Sequence, residues 1–281
     1  MIIGDYHTHT TYCDGANTPE EMLKAAIEKG LKYYGFSSHS YLKYDDSWTI
    51  GKDKQEDSIK EILDLKEKYK DKITVILGCE CDLLSENDLS KFDYVIGSCH
   101  SIIKDGHYLS VDHSEKTFVE NVEKYYGGDY YAFVKDYYEL LSTAADRPEL
   151  TFIGHFDLIS KFNVDYKYFN EDDERYEIPM YLAIDKLAKS GKPFELNTKL
   201  VFEKTRTQPP PSTTKWLDAL SELGGSIIIN SDAHTTSRIA EDFEAAKELV
   251  TKYGFSSILI LTPDGFKKQR FNPIDKVFSL V

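Results

Sequence analysis

The chain places histidines and a carboxylate directly after its first apolar run. In DYHTHTTYCDG, His7 and His9 are separated by one residue, and Asp14 follows five residues after His9. Side chains two apart in an extended segment point to the same side, so both imidazoles can meet one ion while Thr8 points away. Imidazole mixed with carboxylate suits zinc, iron or manganese better than calcium or magnesium, which prefer oxygen ligands. This stretch therefore predicts a transition-metal site.

The same residue types recur where other short apolar runs end. They are His39 in FSSHS, Glu80 in LGCEC, His100 in GSCHS, His155 in FIGHF, and Asp232 and His234 in IINSDAH. A single histidine is more often a packing residue, but six of the eight histidines occupy such positions. His107 and His113 lie in an insertion and are interpreted as ordinary histidines. Nine ligands exceed the coordination of one tetrahedral or octahedral ion, so more than one ion is predicted.

Short β-rich runs alternate with longer helical segments along the chain. The predicted strands are Ile2–Tyr6, Tyr33–Ser37, Thr74–Cys81, Tyr94–Ser98, Thr151–Gly154, Pro193–Asn197 and Ser226–Asn230, with a further one at Ser257–Thr262. The predicted helices are Thr18–Lys29, Gln55–Tyr69, Phe133–Ala145, Met180–Ser190, Thr213–Leu223 and Glu241–Tyr253. This alternation favours parallel strands joined by right-handed crossovers, and hence an α/β sheet or barrel. In a parallel barrel the active site lies at the carboxyl ends of the strands, which is where the nine residues fall.

Local signals mark several boundaries. Thr18 followed by Pro19 and Glu21 is typical of a capped helix start. The proline-rich segment Thr205–Thr214 predicts an ordered loop. The insertion between Ser101 and Phe133 carries a Gly-Gly pair that indicates a turn. We expect one domain over residues 1–281, since no segment has the composition of a linker.

Composition excludes several classes of protein. The formal net charge of −14 argues against binding nucleic acid through its phosphates, which needs a basic surface. We also expect no membrane span and no secretory leader, and hence a soluble, cytoplasmic protein. The four cysteines are too few for a disulfide scaffold, and buried free thiols are favoured over zinc ligands. The sequence leaves the oligomeric state open.

The motifs above resemble those of the PHP (polymerase and histidinol phosphatase) metallo-phosphoesterases, over residues 7 to 234. The resemblance implies a distorted (β/α)7 barrel with three divalent metal ions (Zn, Fe or Mn). It also implies how the ligands are shared. The first ion would take His7, His9, Glu80 and Asp232; the second would take Glu80 as a bridge with His100 and His155; the third would take Asp14, His39 and His234.

Within that family the chain is most similar to the stand-alone histidinol-phosphate phosphatases. The segments YYGGDYYAFVKDYYELL, GHFDLISKF and FELNT carry this similarity. It implies hydrolysis of L-histidinol phosphate to L-histidinol and phosphate, a step of histidine biosynthesis, by a metal-bound hydroxide that attacks the phosphorus in line. The chain lacks the signatures of phosphatases that form a covalent intermediate, so direct transfer to water is expected.

Residues that contact the substrate are predicted from the same loops. Several relatives carry an arginine near HFDLI and another after ELNT, where this chain has Lys161 and Lys199. The predicted substrate-binding residues are Ser101, Lys161, Lys199 and Arg206. Asp232 or a metal-bound water would protonate the leaving group. The loop YLKYDDSW offers acidic and aromatic side chains for the amine and imidazole of histidinol phosphate.

Two other functions remain open from the sequence. The same machinery could hydrolyse another small phosphomonoester or act on nucleotide ends, although the acidic composition counts against nucleic acid as a partner. The protein could instead be a non-catalytic, metal-binding regulatory module. The identity of the native metal is also open, because these ligands take zinc, iron and manganese with overlapping preference.

Overall fold

The structure, a computed structural model, describes residues 1–202, 209–271 and 278–280. The strands are β1 (Gly4–Asp5), β2 (Tyr33–Phe36), β3 (Thr74–Asp82), β4 (Tyr94–Ser98), β5 (Ser101–Lys104), β6 (His107–Ser110), β7 (Phe152–Ile153), β8 (Phe194–Asn197), β9 (Ile227–Asn230), β10 (Ser257–Thr262), β11 (Gly265–Phe271) and β12 (Phe278–Leu280). The helices are α1 (Pro19–Glu28), α2 (Gln55–Lys68), α3 (Glu115–Tyr126), α4 (Tyr130–Ser142), α5 (Glu174–Lys189), α6 (Thr198–Val201), α7 (Pro211–Glu222) and α8 (Phe243–Lys252).

Seven strands form a nearly closed parallel barrel. Their order is β1-β2-β3-β4-β7-β8-β9, and every described pair between neighbours is parallel. Beyond β1 and β9, an isolated parallel bridge between Thr8 and Ala233 brings the two edges together. The predicted distorted (β/α)7 barrel is therefore confirmed. The carboxyl ends of the seven strands form one rim.

A tyrosine fills the interior of the barrel beneath that rim. The hydroxyl of Tyr94 in β4 donates to the carbonyl of Tyr6 at 2.5 Å, and its ring stacks on Phe152 of β7. A Cβ atom at Gly78 of β3 would lie 2.1 Å from the Tyr94 ring, so only glycine leaves room for it. Side chains therefore fill the centre of the barrel, and the polar side chains lie above it at the rim.

Most predicted elements agree with the structure to within one or two residues. The capping box of α1 is confirmed, since the Thr18 side chain accepts from Glu21 N and the Glu21 carboxylate accepts from Thr18 N at 2.8 Å. Cys79, Cys81 and Cys99 are buried free thiols, as predicted. The strand predicted at Ser257–Thr262 is β10, which lies outside the barrel in an antiparallel sheet with β11 and β12. No helix in the described ranges is long and apolar enough to cross a membrane.

The turn predicted at the Gly-Gly pair of the insertion, Gly127-Gly128, lies between α3 and α4 and is confirmed. The insertion also holds the hairpin β5–β6 and helix α3, which were not predicted; Asp105 and Gly106 adopt positive φ angles of 50° and 79°, which suit a tight hairpin turn. Two predicted boundaries are wrong. Helix α5 begins at Glu174, before the predicted Met180, because Asp173 caps it there. The predicted loop Thr205–Thr214 ends early, since Pro211 begins α7 at a position that tolerates proline. Residues 205–208 of that loop lie outside the described residues.

Candidate metal centre

The rim of the barrel brings all nine predicted ligand residues into one largely buried cluster, which we call the ligand cluster. Glu80, from β3, lies at its centre. Its Oε2 atom is 3.0 Å from His7 Nε2 and 2.8 Å from His39 Nδ1. Its Oε1 atom is 2.9 Å from His155 Nε2 and 3.3 Å from His100 Nε2. The Glu80 carboxylate therefore contacts four imidazoles, each from a residue that follows a different strand of the barrel.

Two further carboxylates complete the ligand cluster. Asp232 Oδ1 lies 3.1 Å from His9 Nε2 and 3.4 Å from His234 Nδ1. Asp14 Oδ2 lies 3.1 Å from His234 Nε2, and its Oδ1 lies 3.6 Å from His39 Nε2. The loops after β1 and β9 thus face each other across the rim.

The ligand atoms fall into four overlapping groups whose members lie within 4.8 Å of one another. The groups are His9, Asp14, His39 and His234; His7, Glu80 and His155; His7, His9 and Asp232; and His39, Glu80 and His100. These groups resemble the predicted allotment but place His7, His9 and His39 each in two groups. Which residue serves which ion stays a prediction.

The donor atoms of this cluster fit divalent cations. Five of them have no hydrogen-bond partner among the described residues: His7 Nε2, His9 Nε2, His39 Nδ1, Glu80 Oε2 and Asp232 Oδ1. The other ring nitrogen of His7 is 2.8 Å from Glu195 Oε1. With the proton on that nitrogen, His7 Nε2 directs a lone pair at the Glu80 carboxylate 3.0 Å away. Two buried acceptors that face each other without a donor destabilise the folded protein. A cation that both atoms can bind removes this destabilisation.

Glu195, which was not among the predicted residues, orients two of the histidines. Its Oε1 atom accepts from Asn230 Nδ2 at 2.9 Å as well as from His7 Nδ1, and its Oε2 atom accepts from the backbone N of His155 at 2.9 Å. Glu195 is buried on β8, between the strands that carry its partners. A carboxylate that accepts from one imidazole nitrogen leaves the other nitrogen available to a metal.

Asp82 supports His100 in the same way. Asp82 Oδ2 accepts from His100 N at 2.9 Å and lies 3.4 Å from His100 Nδ1. Asp82 Oδ1 accepts from Leu84 N at 2.8 Å, which fixes the carboxylate at the end of β3. Asp82 stands two residues after Glu80, so the alternation of the strand places both on one face. That spacing was the signal that could have identified it from the sequence.

Electrostatics favour the metal-binding forms of Glu80 and His9. Burial opposes ionisation of Glu80, but His7, His39 and His100 outweigh it and hold the pKa of the Glu80 carboxyl well below its usual value. For His9, burial together with His234 and His39 lowers the imidazole pKa well below its usual value. A carboxylate and a neutral imidazole are the forms that coordinate metals.

Asp232 and His7 show the same competition between burial and neighbouring charge. Burial opposes ionisation of Asp232, but Lys199, His7 and His234 hold the pKa of its carboxyl well below its usual value. Burial also opposes protonation of His7, but Glu195, Glu80 and Asp232 raise the pKa of its imidazole well above its usual value. The predicted role of Asp232 as a proton donor stays a prediction.

A cavity of about 490 Å³ opens above the ligand cluster. We call six of its lining residues the mouth: Trp48, Asp112, His113, Lys161, Lys199 and Arg238. The Trp48 ring contacts two cluster histidines edge to face, with centroids 4.6 Å from His39 and 5.1 Å from His100. His113, interpreted from the sequence as an ordinary residue, lies in this wall because the hairpin β5–β6 returns the chain to the rim.

Two of the four predicted substrate-binding residues line the cavity above the ligand cluster. Lys199 lines the cavity, with Nζ 3.3 Å from Asp232 Oδ2 and 3.1 Å from His234 Nδ1. Lys161 also lines it and donates to the carbonyl of Asp112 at 2.9 Å. Ser101 instead lines a smaller neighbouring cavity, because it begins β5 and lies beside Tyr44 there. The remaining predicted residue, Arg206, lies outside the described residues.

The sequence is similar to those of a known family and of named proteins. The PHP domain family matches residues 5–199 of this chain. A Schizosaccharomyces pombe protein provisionally named a histidinol-phosphatase is 23% identical over 272 residues, which cover 88% of this chain and 85% of that protein. The Bacillus subtilis DNA polymerase/3'-5' exonuclease PolX is 26% identical over 235 residues, which cover 83% of this chain but only 34% of that protein.

Solved structures share the fold. A protein of Listeria monocytogenes, provisionally named a histidinol phosphatase, superposes with a TM-score of 0.75 at 21% identity, over 86% of this chain and 99% of that one. Histidinol phosphate phosphatase of Lactococcus lactis, solved with zinc, L-histidinol and phosphate, gives a TM-score of 0.66 at 21% identity, over 94% of this chain and 98% of that one. With the family match over residues 5–199, the barrel and the clustered ligands, the chain belongs to the PHP family of metal-dependent phosphoesterases.

Proposed function

We propose that this protein hydrolyses L-histidinol phosphate to L-histidinol and inorganic phosphate, a step of histidine biosynthesis. One observation carries the proposal: a single cavity is lined by two cations, Lys199 and Arg238, which we call the cationic wall, and by an aromatic and an acidic side chain, Trp48 and Asp112. Histidinol phosphate has the complementary charges, with a phosphate at one end and an ammonium group and an imidazole at the other. The names of the relatives support the same substrate.

The ligand cluster would hold three divalent ions of zinc, iron or manganese, shared among its nine residues as the family resemblance implies. Bound there, such ions would stabilise negative charge on the phosphoryl oxygens and lower the pKa of a coordinated water towards neutrality. The protein contributes the fixed geometry. Glu195 holds His7 at 2.8 Å and Asp82 holds the backbone of His100 at 2.9 Å, so the imidazoles need no rearrangement to bind.

The cationic wall would bind the phosphate end of the substrate. Lys199 lies beside the cluster, 3.3 Å from Asp232 and 3.1 Å from His234, with 41% of its side chain exposed to the cavity and solvent. Lys161 approaches from the loop after β7 and lines the same cavity. A protein of net charge −14 needs such local positive charge to attract an anionic ester.

Trp48 and Asp112 would select the rest of the molecule. The indole of Trp48 is fixed by a hydrogen bond from Nε1 to Asp45 Oδ2 at 3.0 Å, so it offers a rigid aromatic surface to the imidazole. Asp112 provides a carboxylate for the ammonium group. Burial opposes ionisation of Asp112, but His100, Lys161 and His155 lower the pKa of its carboxyl, so it is charged at neutral pH.

A steady-state comparison of substrates tests the proposal. Protein stripped of metal is restored separately with zinc, iron and manganese, then assayed with histidinol phosphate, p-nitrophenyl phosphate and 3′-ended oligonucleotides. We expect kcat/KM for histidinol phosphate to exceed that for p-nitrophenyl phosphate by about 100-fold, which corresponds to roughly 2.7 kcal/mol of differential transition-state binding. Equal kcat/KM values for the two esters would contradict the proposed substrate.

The other arms of the assay address the alternatives. A clear preference for oligonucleotides would instead favour the nucleotide-end activity that the match to PolX raises. Stoichiometric metal binding with no turnover of any ester would favour the regulatory module.

A further inference from the structure

We infer that the guanidinium of Arg238 binds the phosphoryl group of the substrate and the phosphate product. The inference rests on the proposed phosphatase function and adds a residue that the sequence did not indicate. Arg238 ends a short 3-10 turn, Thr236–Arg238, which follows β9 and the cluster residues Asp232 and His234. Its side chain is 26% exposed and lines the cavity.

The Arg238 guanidinium is held through its Nε atom, which leaves its two Nη groups available to bind a ligand. Its Nε atom lies 2.6 Å from Glu241 Oε2. In the part of the chain that the structure describes, neither Nη atom of Arg238 donates a recorded hydrogen bond to another residue. An arginine held through Nε can still present its two Nη groups as a fork, which matches two oxygens of a phosphoryl group.

The backbone that carries Arg238 is cross-linked to the rest of the rim. The Lys29 ammonium, from the end of α1, donates to the carbonyl of Ser237 at 2.9 Å and also to the carbonyl of Ile239. On the other side, the backbone N of Thr236 donates to Asn17 Oδ1 at 3.1 Å. These contacts fix the turn before any ligand binds, which reduces the entropy cost of binding an anion.

The lysines of the mouth also contact acidic groups, but they offer different binding chemistry. Lys199 contacts Asp232, and Lys161 contacts both the carbonyl and the carboxylate of Asp112. Each presents a compact ammonium rather than a fork. Among the described residues that line the cavity, Arg238 carries the sole guanidinium. It is therefore the described group best suited to bidentate recognition of a phosphoryl group.

Inhibition by inorganic phosphate tests the inference directly. The metal-loaded wild type is compared with Arg238→Gln, Arg238→Lys and Arg175→Gln, using p-nitrophenyl phosphate as substrate. Arg175 is a control, since it pairs with Asp173 on the exposed start of α5, away from the cavity. We expect Arg238→Gln to raise the Ki for phosphate by about 10-fold or more, and Arg238→Lys to restore part of the loss because it keeps the charge without the fork. Arg175→Gln should match the wild type.

The two esters separate this inference from the proposed substrate. Because the phosphoryl group is common to both, Arg238→Gln should lower kcat/KM for histidinol phosphate and p-nitrophenyl phosphate by similar factors. A wild type that shows no preference for histidinol phosphate would contradict the proposed substrate, while the Ki for phosphate would still report on Arg238. A Ki for Arg238→Gln within twofold of wild type, at equal metal content, would overturn the inference. If Arg238→Gln does not fold, an unchanged Ki in Arg238→Lys overturns it instead.

Discussion

The ligand cluster and the mouth are held in different ways. Most cluster residues lie at the ends of barrel strands and are almost fully buried, with side-chain exposures of 0% for His7 and Glu80 and 7% for His100. Asp14 and His234 are the more exposed members of the cluster, at 32% and 22%. Mouth residues come from loops and short helical turns and remain partly exposed, at 31% for Lys161 and 41% for Lys199. The cluster is anchored by buried carboxylates, whereas the mouth is held by exposed loop contacts.

Because the two regions are held differently, we expect the ligand cluster to determine the rate of the reaction and the mouth to determine which substrate is preferred. Strand ends are fixed by the register of the barrel, so the residues they carry keep their geometry whatever the substrate. Loops can change shape and length without loss of the barrel. Changes in the cluster should therefore affect every substrate alike, and changes on the aromatic and acidic side of the mouth should affect one substrate more than another.

The largest effect is expected for Glu80→Gln in the ligand cluster. Glutamine keeps the shape but removes the charge that five ligand contacts share, so metal binding and stabilisation of the transition state should both fail. We expect kcat to fall by about 10³-fold or more for histidinol phosphate and for p-nitrophenyl phosphate. Metal content per chain should fall in parallel, as measured by inductively coupled plasma mass spectrometry.

Glu149→Gln is the matched control for that change. Glu149 pairs with Arg147 on the surface and has no contact with the cluster, so its variant should keep both metal and activity. A Glu80→Gln protein with full metal content and near-normal turnover would contradict the central position that the structure gives this carboxylate.

A smaller loss of activity toward both substrates is expected for Glu195→Gln. The amide can still pair with His7, but it cannot accept from Asn230 and the His155 backbone as a carboxylate does. Loss of such a support typically weakens metal affinity by about 10- to 100-fold. Titration of stripped protein with zinc measures that affinity.

Glu171→Gln provides the comparison for Glu195→Gln, because Glu171 is also a buried glutamate, which accepts from Asn163 at 2.8 Å away from the rim. It should lower stability without changing metal affinity. Equal loss of zinc affinity in both variants would contradict a specific positioning role for Glu195.

A selective effect is expected for Asp112→Asn in the mouth. Loss of the carboxylate should lower kcat/KM for histidinol phosphate by about 10-fold, the scale of one partly exposed ionic contact to a ligand. The value for p-nitrophenyl phosphate, which has no ammonium group, should change by less than about twofold. Asp105→Asn, in the turn of the same insertion, serves as the control and should change neither. Equal losses for both esters would place Asp112 with the catalytic machinery rather than with selectivity.

The smallest effect is expected outside both regions, for Thr18→Ala at the start of α1. The hydroxyl of Thr18 accepts from Glu21 N, and removal of such a cap costs about 1 kcal/mol of the free energy of unfolding. For a chain of this size that corresponds to a fall in Tm of about 2 °C, measurable by differential scanning calorimetry. Turnover should not change. A loss of activity larger than the loss of folded protein would show that α1 does more than support the rim.

The sequence predicted the ligand cluster because strand ends are a regular feature. His7 and Glu80 follow or end clear β runs, and the rule that parallel strands meet at one rim does not depend on details of packing. The same regularity could have identified Asp82, which shares a strand face with Glu80. It could also have identified Glu195, which shares a face with Asn197 at the end of β8, where the Asn197 amide donates to Asp232 Oδ2 at 3.2 Å. Both residues support ligands, a role that residue types suited to binding metal do not reveal by themselves.

The mouth was predicted less well because it depends on loop paths. The hairpin β5–β6 was missed even though Asp105-Gly106 is a typical turn pair, and that hairpin brings Asp112 and His113 to the rim. Arg238 reaches the cavity only because the turn after β9 is held by Lys29. Such long-range contacts leave no local pattern in the sequence.

Anomalous X-ray diffraction from metal-loaded crystals tests the central claim most directly. Data collected at the absorption edge of the bound metal locate each ion without assumptions about its ligands. We predict three anomalous peaks within coordination distance of the nine residues of the ligand cluster, one of them beside Glu80. Peaks absent from the cluster at saturating metal, or bound only at surface carboxylates, would contradict this account.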